Sequence, residues 1–167
     1  LEVLPAKAPT DSATKVITIT RDKVKLEEQA AKHDVFEVMN GRDRYKIGVI
    51  RVPTFYMDFE AYRKRDPNFK STTRDVHRIL QELEKENVDG IVLDLRGNGG
   101  GSLQEATTLT DLFIDRGPVV QIRQTNELIS RNYQSHSRAA YRGPLVVLID
   151  RLSASASEIF AGAIQDY

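Results

Sequence analysis

The sequence has 167 residues, enough for one ordinary core or one domain with a fragment of another. Lys+Arg and Asp+Glu both number 24, so the balance is zero and gives no electrostatic reason to expect a nucleic-acid or anionic-membrane partner. The absence of Cys excludes disulfides, thiolate metal sites and a cysteine nucleophile, and no apolar run approaches the ~18 residues of a membrane span. No signal peptide is visible. The chain opens on what reads as a strand and closes inside or just after a helix, so both ends read as boundaries cut through longer elements.

In chain order, residues 1–4 form a short extended piece and residues 5–13 a Pro/Ala/polar turn. Residues 15–20 (KVITIT) alternate and are β-branched, which predicts a strand. Residues 21–32 are charged, with helical or irregular character left open. Residues 34–39 and 44–52 read as two strands joined through Asn40-Gly41, a strong hairpin dipeptide, and Pro53 ends the second. Residues 54–70 are long, aromatic and charged, which suggests a mobile or functional loop. Ser71, Thr72 and Thr73 supply N-cap candidates. Val76, Ile79, Leu80 and Leu83 then recur at helical spacing, predicting an amphipathic helix that ends near Asn87.

Residues 91–95 (IVLDL) are almost wholly apolar, as expected of a strand buried on both faces. A glycine loop follows at residues 96–102. Ser102 and Glu105 match a capping box, so a helix should run from about Leu103 to Phe113, where Gly117-Pro118 stops it. Residues 119–123 read as a strand and residues 124–142 as a polar loop. Residues 145–149 are an apolar strand, followed by the turn 150–152, serines at 153, 155 and 157, Glu158 and a last helix. From Thr73 onward the order α-β-α-β-β-α predicts a layered α/β domain whose active loops lie at the C-terminal ends of the strands.

Two strand-to-helix turns therefore stand out, residues 96–102 and 150–158. One offers bare backbone amides that can approach a ligand closely. The other offers a hydroxyl at a helix N-terminus, where free N–H groups favour negative charge. Together they could supply a nucleophile and an oxyanion hole. Each has a plainer reading: Ser155 and Glu158 also satisfy the S-x-x-E capping box, and the glycines could form a tight turn without a ligand. A phosphate loop fails because Gly101 is followed by Ser102 with no lysine, and G-x-S-x-G fails because serines flank Ser155 at both second neighbours. His33, His77 and His136 read as surface histidines, and no metal-ligand spacing is present. Asp94 beside Arg96 reads as a buried ion pair or hydrogen-bonded carboxylate.

Residues 94–106 (DLRGNGGGSLQEA) and 150–167 (DRLSASASEIFAGAIQDY) resemble the tail-specific proteases, the carboxy-terminal processing peptidases of the S41 serine-peptidase family. LEVLPA, VITITRDKVKLEEQA and IGVIRVPTFY are also similar to the bacterial periplasmic branch. The resemblance implies a ClpP/crotonase-like ββα-superhelix core at residues 23–167, incomplete at its C-terminal end, with residues 1–22 as a PDZ-domain remnant and exit segment. It implies a Ser/Lys dyad with Ser155 as nucleophile rather than Ser153 or Ser157. Gly100 or Gly101, with Ala156, would donate to the oxyanion, and Glu158, Asp166, Asp94 and Arg96 would support the site.

No cofactor is implied. The implied partners are periplasmic proteins with nonpolar C-terminal tails, and an adaptor lipoprotein; the implied location is the periplasm, with peripheral association to the inner membrane. The family's lysine base lies beyond the nucleophile in a G-K-G segment, whereas the last lysine here is Lys85. The 167 residues alone are therefore expected to lack peptidase activity. Two other readings stay open: a non-enzymatic peptide- or ligand-binding module on the same scaffold, and a small-anion site at residues 97–101.

Overall fold

The computed structural model describes residues 1–4, 14–20, 29–123, 125, 131–135 and 138–167, the stretch 131–135 as backbone only. The expected turn at residues 5–13, most of the charged stretch 21–32 and His136 lie outside the described residues. Among the described residues no helix is long and apolar enough to cross a membrane.

A four-stranded mixed sheet carries the fold, its strands lying side by side in the order 32–40, 43–51, 90–94 and 145–148. β3 (Lys32–Asn40) and β4 (Asp43–Arg51) form an antiparallel hairpin, while β4, β5 (Gly90–Asp94) and β8 (Leu145–Leu148) run parallel. Asn40 pairs with Asp43, so the turn consists of Gly41 and Arg42 rather than centring on Asn40-Gly41. Gly41 takes φ 65°, which a residue without Cβ adopts freely. Central strand β5 is almost wholly buried, with Ile91, Leu93 and Asp94 below a tenth exposed.

α2 (Thr72–Lys85) lays Val76, Ile79, Leu80 and Leu83 on one face of this sheet, as the spacing predicts. Gly48 in β4 lies under the helix: a Cβ there would lie 2.8 Å from Leu83 Cδ1. α3 (Leu103–Thr110) and α4 (Ala156–Asp166) pack together beside it, and Phe160 of α4 meets Phe55 and Phe113 with ring centroids 6.5 and 5.7 Å apart. α3 stops at Thr110, short of the expected Phe113, with Asp111 as its C-cap.

Three expectations need correction. Only Lys15–Val16 of the segment 15–20 is strand, β2, paired with β1 (Glu2–Val3) in a small ladder outside the main sheet. The polar segment 124–142 contains β7 (Arg131–Ser135), which pairs antiparallel with β6 (Gly117–Ile122). Its polar sequence hid it, because a ladder is closed by backbone N–H and C=O groups that every non-proline residue carries.

Segment 54–70 does not form one long loop. Phe55, Tyr56 and Met57 are buried, Phe55 bridges to Gly101 and Met57 to Ser71. A short helix α1 (Phe59–Arg63) occupies the excursion between, with the Asp58 carboxylate accepting the N–H groups of Glu60 and Ala61.

Candidate active site at the strand ends

Because β4, β5 and β8 are parallel, the segments leaving them meet at one edge of the sheet. The ladder continues past its last pairs: Val52 N–H donates to Asp94 O at 3.1 Å, and Leu95 N–H to Leu148 O at 2.9 Å. The glycine loop and the serine turn are thus neighbours, as expected from the strand order.

Asn98 fixes them to each other. Its side chain is fully buried, and Nδ2 donates to Val52 O at 2.7 Å while Oδ1 accepts the Gly100 N–H at 2.8 Å. Its main-chain oxygen accepts Ala154 N–H at 3.1 Å and the Ser157 hydroxyl at 2.9 Å. One buried amide therefore joins the exits of all three parallel strands. Asp150 adds a second tie by accepting Gly97 N–H at 3.0 Å, together with Leu152 N–H and Ser153 N–H. These backbone donors, Gly97 first, hold its carboxyl below the usual aspartate range. Sequence reasoning singled out neither residue for a role. A lone amide between glycines was the available signal for Asn98.

The three serines part company here. The Ser153 hydroxyl donates to Leu95 O at 2.8 Å and accepts the Asp150 N–H at 2.9 Å. Ser157 is buried, with its hydroxyl on Asn98 O. Ser155 is exposed and stands at the N-cap of α4 with φ 55° and ψ −113°. Ser71 and Ser102, the N-caps of α2 and α3, are extended and accept Arg74 N–H and Glu105 N–H in the ordinary way. A non-glycine residue held at positive φ costs about 1–3 kcal/mol and persists only where its surroundings impose it. Excluding G-x-S-x-G as a motif did not exclude its geometry: this is also a strained strand-to-helix turn with an exposed serine at its corner.

Gly100 explains part of the constraint. Its φ is 104°, and a Cβ there would lie 2.8 Å from both Ala154 O and Ser155 Cβ. Glu158 supplies another part, its carboxylate accepting the Ser155 N–H at 2.6 Å. Gly101, at φ 143°, lies against the Phe55 backbone, which accepts Ser102 N–H at 2.8 Å and donates to Gly100 O at 3.0 Å.

Of the two glycines expected as oxyanion donors, Gly100 already gives its N–H to Asn98 Oδ1. Among the described residues, no acceptor bonds the N–H of Gly101 or of Ala156. Gly100 therefore serves close approach, and the unoccupied donors beside Ser155 are on Gly101 and Ala156.

Asp94 is nearly buried and takes Arg96 Nε and Nη2 at 2.8 and 2.7 Å, with the Arg96 N–H at 3.0 Å. The guanidinium beside it holds its carboxyl below the usual range. The pair braces the root of the glycine loop, and the Arg96 head is exposed. Asp166 is not brought to Ser155. It is exposed at the far end of α4, roughly 15 Å along the axis.

Lys85 ends α2 beside the start of β5, at the opposite edge of the sheet, and is exposed. His33 lies 3.8 Å from Glu82. His77 lines a cavity of about 720 Å³ with Leu80, Glu84, Asn87, Tyr141 and Arg142, also at that opposite edge. Among the described residues no lysine or histidine bonds the Ser155 hydroxyl.

Residues 46–167 match peptidase family S41. Over 167 residues the chain is 42% identical to a tail-specific protease of Haemophilus influenzae, covering 100% of this chain and 21% of that protein. It is 31% identical over 163 residues to a carboxyl-terminal-processing protease of Picosynechococcus, covering 98% of this chain and 34% of the relative. Among solved structures, a photosystem II D1 C-terminal processing protease superposes with a TM-score of 0.68 at 29% identity, covering 95% of this chain and 39% of that one. The chain thus spans well under half the length of these relatives. A match over most of its residues, carrying both the glycine loop and the serine turn, shows that the chain belongs to peptidase family S41.

Proposed function

We propose that this chain carries the nucleophile and oxyanion half of a serine endopeptidase that processes proteins from their C-termini. The observation that supports it best is the division among the serines: Ser153 and Ser157 have their hydroxyls engaged, whereas Ser155 is exposed on a strained corner. In this reading Ser155 Oγ attacks a peptide carbonyl and loses its proton to a base. The tetrahedral oxyanion is met by the N–H groups of Gly101 and Ala156, at the positive end of α4. Collapse expels the amine and leaves an acyl-enzyme, which water hydrolyses. Glu158 holds the Ser155 backbone, and Asp94 with Arg96 braces the loop.

The base of a Ser/Lys dyad must be a lysine with its pKa lowered by burial. These 167 residues hold no lysine beyond Lys85, which is exposed at the wrong edge, so the chain by itself is inferred not to hydrolyse peptides. The wider reading follows the resemblance: a ClpP/crotonase-like core at residues 23–167, and a PDZ remnant at residues 1–22. Substrates are periplasmic proteins with nonpolar tails, with an adaptor lipoprotein as partner and peripheral inner-membrane association.

A serine-reactive phosphonate, applied to the full natural protein and mapped by peptide mass, tests the core claim. Adduct on Ser155 is expected, and its absence there overturns the assignment. Cleavage of an apolar-tailed substrate by the 167-residue chain, abolished by Ser155→Ala, would overturn the inactivity of the chain alone.

A further inference from the structure

Glu105 breaks the local rule that its sequence suggests. Ser102 caps α3 through Glu105 N–H at 3.3 Å, but the Glu105 carboxylate does not return to the Ser102 N–H, which Phe55 O has taken. It reaches across to a different helix and accepts Thr73 N–H, in the first turn of α2, at 2.7 Å. The side chain is only 2% exposed. Burial, with Asp75 nearby, pushes its carboxyl above the usual glutamate range.

An apolar side chain would fill such a site at lower cost than a carboxyl group. The bonds around it give it a task. Thr72 N–H donates to Tyr56 O at 3.0 Å, and Tyr56 N–H donates to Thr72 Oγ1 at 2.8 Å. One residue earlier, Phe55 holds Gly100 O and Ser102 N–H. The links close a ring: Glu105 to α2, α2 to Tyr56, Phe55 to the glycine loop, and the loop through Ser102 back to Glu105. A second tie between the helices, Thr73 Oγ1 to Thr108 Oγ1 at 2.8 Å, lies one helical turn further on.

We propose that Glu105 is a positioning residue, which clamps the start of α3 to α2 and so fixes the Gly101 N–H relative to Ser155. This rests on Ser155 being the nucleophile and Gly101 an oxyanion donor. Glu105 touches no reacting atom and acts through the loop that precedes its helix. Its carboxylate is carried on the first turn of α3 and accepts from the first turn of α2, where the helix field favours an acceptor.

The test measures the rate of phosphonate labelling at Ser155 in the full natural protein, since that rate reads nucleophile and oxyanion geometry together. Glu105→Asp keeps the charge but withdraws it by one methylene from Thr73. Labelling should slow at least tenfold while far-UV circular dichroism stays native. Glu105→Gln keeps an acceptor at full reach and should label within threefold of the parent. A folded Asp variant with lowered Tm and the parent's labelling rate would show a merely structural role and overturn the inference.

Should the Asp variant fail to fold, Thr72→Val, which keeps the side chain's shape but removes the Oγ1 acceptor of the Tyr56 N–H and so weakens the ring at Tyr56, carries the test. A tenfold loss is expected, and an unchanged rate overturns the inference. No adduct on Ser155 in the parent overturns the nucleophile assignment itself, which is a separate outcome.

Discussion

Gly100 and Ser155 sit so close that a Cβ on the glycine would lie 2.8 Å from the serine's own Cβ. The loop after β5 and the turn after β8 therefore interlock at one point, and the glycine there is a condition of the serine's conformation.

The glycines of the loop should respond unequally to alanine. Gly99 faces open space at ordinary φ, so Gly99→Ala should change stability by no more than about 0.5 kcal/mol. Gly97 faces open space but has φ 71°, and Gly97→Ala should cost roughly 1–2 kcal/mol. Gly100→Ala adds a backbone clash to its positive φ and should cost more than either, and phosphonate labelling of Ser155 should fall. Thermal melts of the three variants give the order; an equal cost at all three would contradict the interlock.

The serines can be ranked in the same way. Ser153→Ala and Ser157→Ala each remove a hydroxyl that bonds the backbone, at about 1 kcal/mol apiece. Ser155→Gly relieves a strained φ of 55° and should raise or leave unchanged the denaturation midpoint, while ending labelling. Urea titration with linear extrapolation checks it.

Asp94 makes stability depend on acid. The Arg96 guanidinium lowers its carboxyl below the ordinary 3.8, so the folded state binds the proton less readily than the unfolded chain. Its stabilisation is full above pH 3.8 and is lost as pH falls through the lowered folded value. The gap between the parent and Asp94→Asn should be constant near neutrality and close on acidification.

Glu105 has the opposite sign. Its raised carboxyl pKa means that stability from this group is full below the ordinary 4.5 and declines as pH rises through the folded value. Relative to the parent, Glu105→Gln should gain stability as pH rises through that window. Denaturant midpoints from mildly acidic to neutral pH measure the trend.

Phe160→Ala should cost roughly 3–5 kcal/mol. The ring is fully buried between Phe55 and Phe113, and Phe55 is the residue whose backbone holds the glycine loop. Labelling of Ser155 should slow along with the fall in Tm, because the cavity opens beneath that backbone.

Local chemistry carried much of the fold into the sequence. The apolar run 91–95, the helical spacing of Val76, Ile79, Leu80 and Leu83, and the N-cap serines Ser71 and Ser102 set elements that the structure keeps. Each depends on side chains within a turn or two of chain, so periodicity suffices to read them. β7 was illegible because its sequence, RNYQS, has no apolar alternation to mark it, and β2 was overextended because β-branched composition does not supply a pairing partner.

The sequence alone determined that a serine turn and a glycine loop each follow an apolar strand, and that within these 167 residues no lysine comes after Lys85. The tertiary structure decided which serine hydroxyls the strand and loop backbone engage, which glycine gives up its N–H, and that Asn98 and Glu105 hold the two turns in place. Apart from the local bond of Gly100 to Asn98, those decisions rest on hydrogen bonds spanning dozens of residues of chain. Whether a donor is occupied depends on what folding brings against it, and a local pattern cannot carry that.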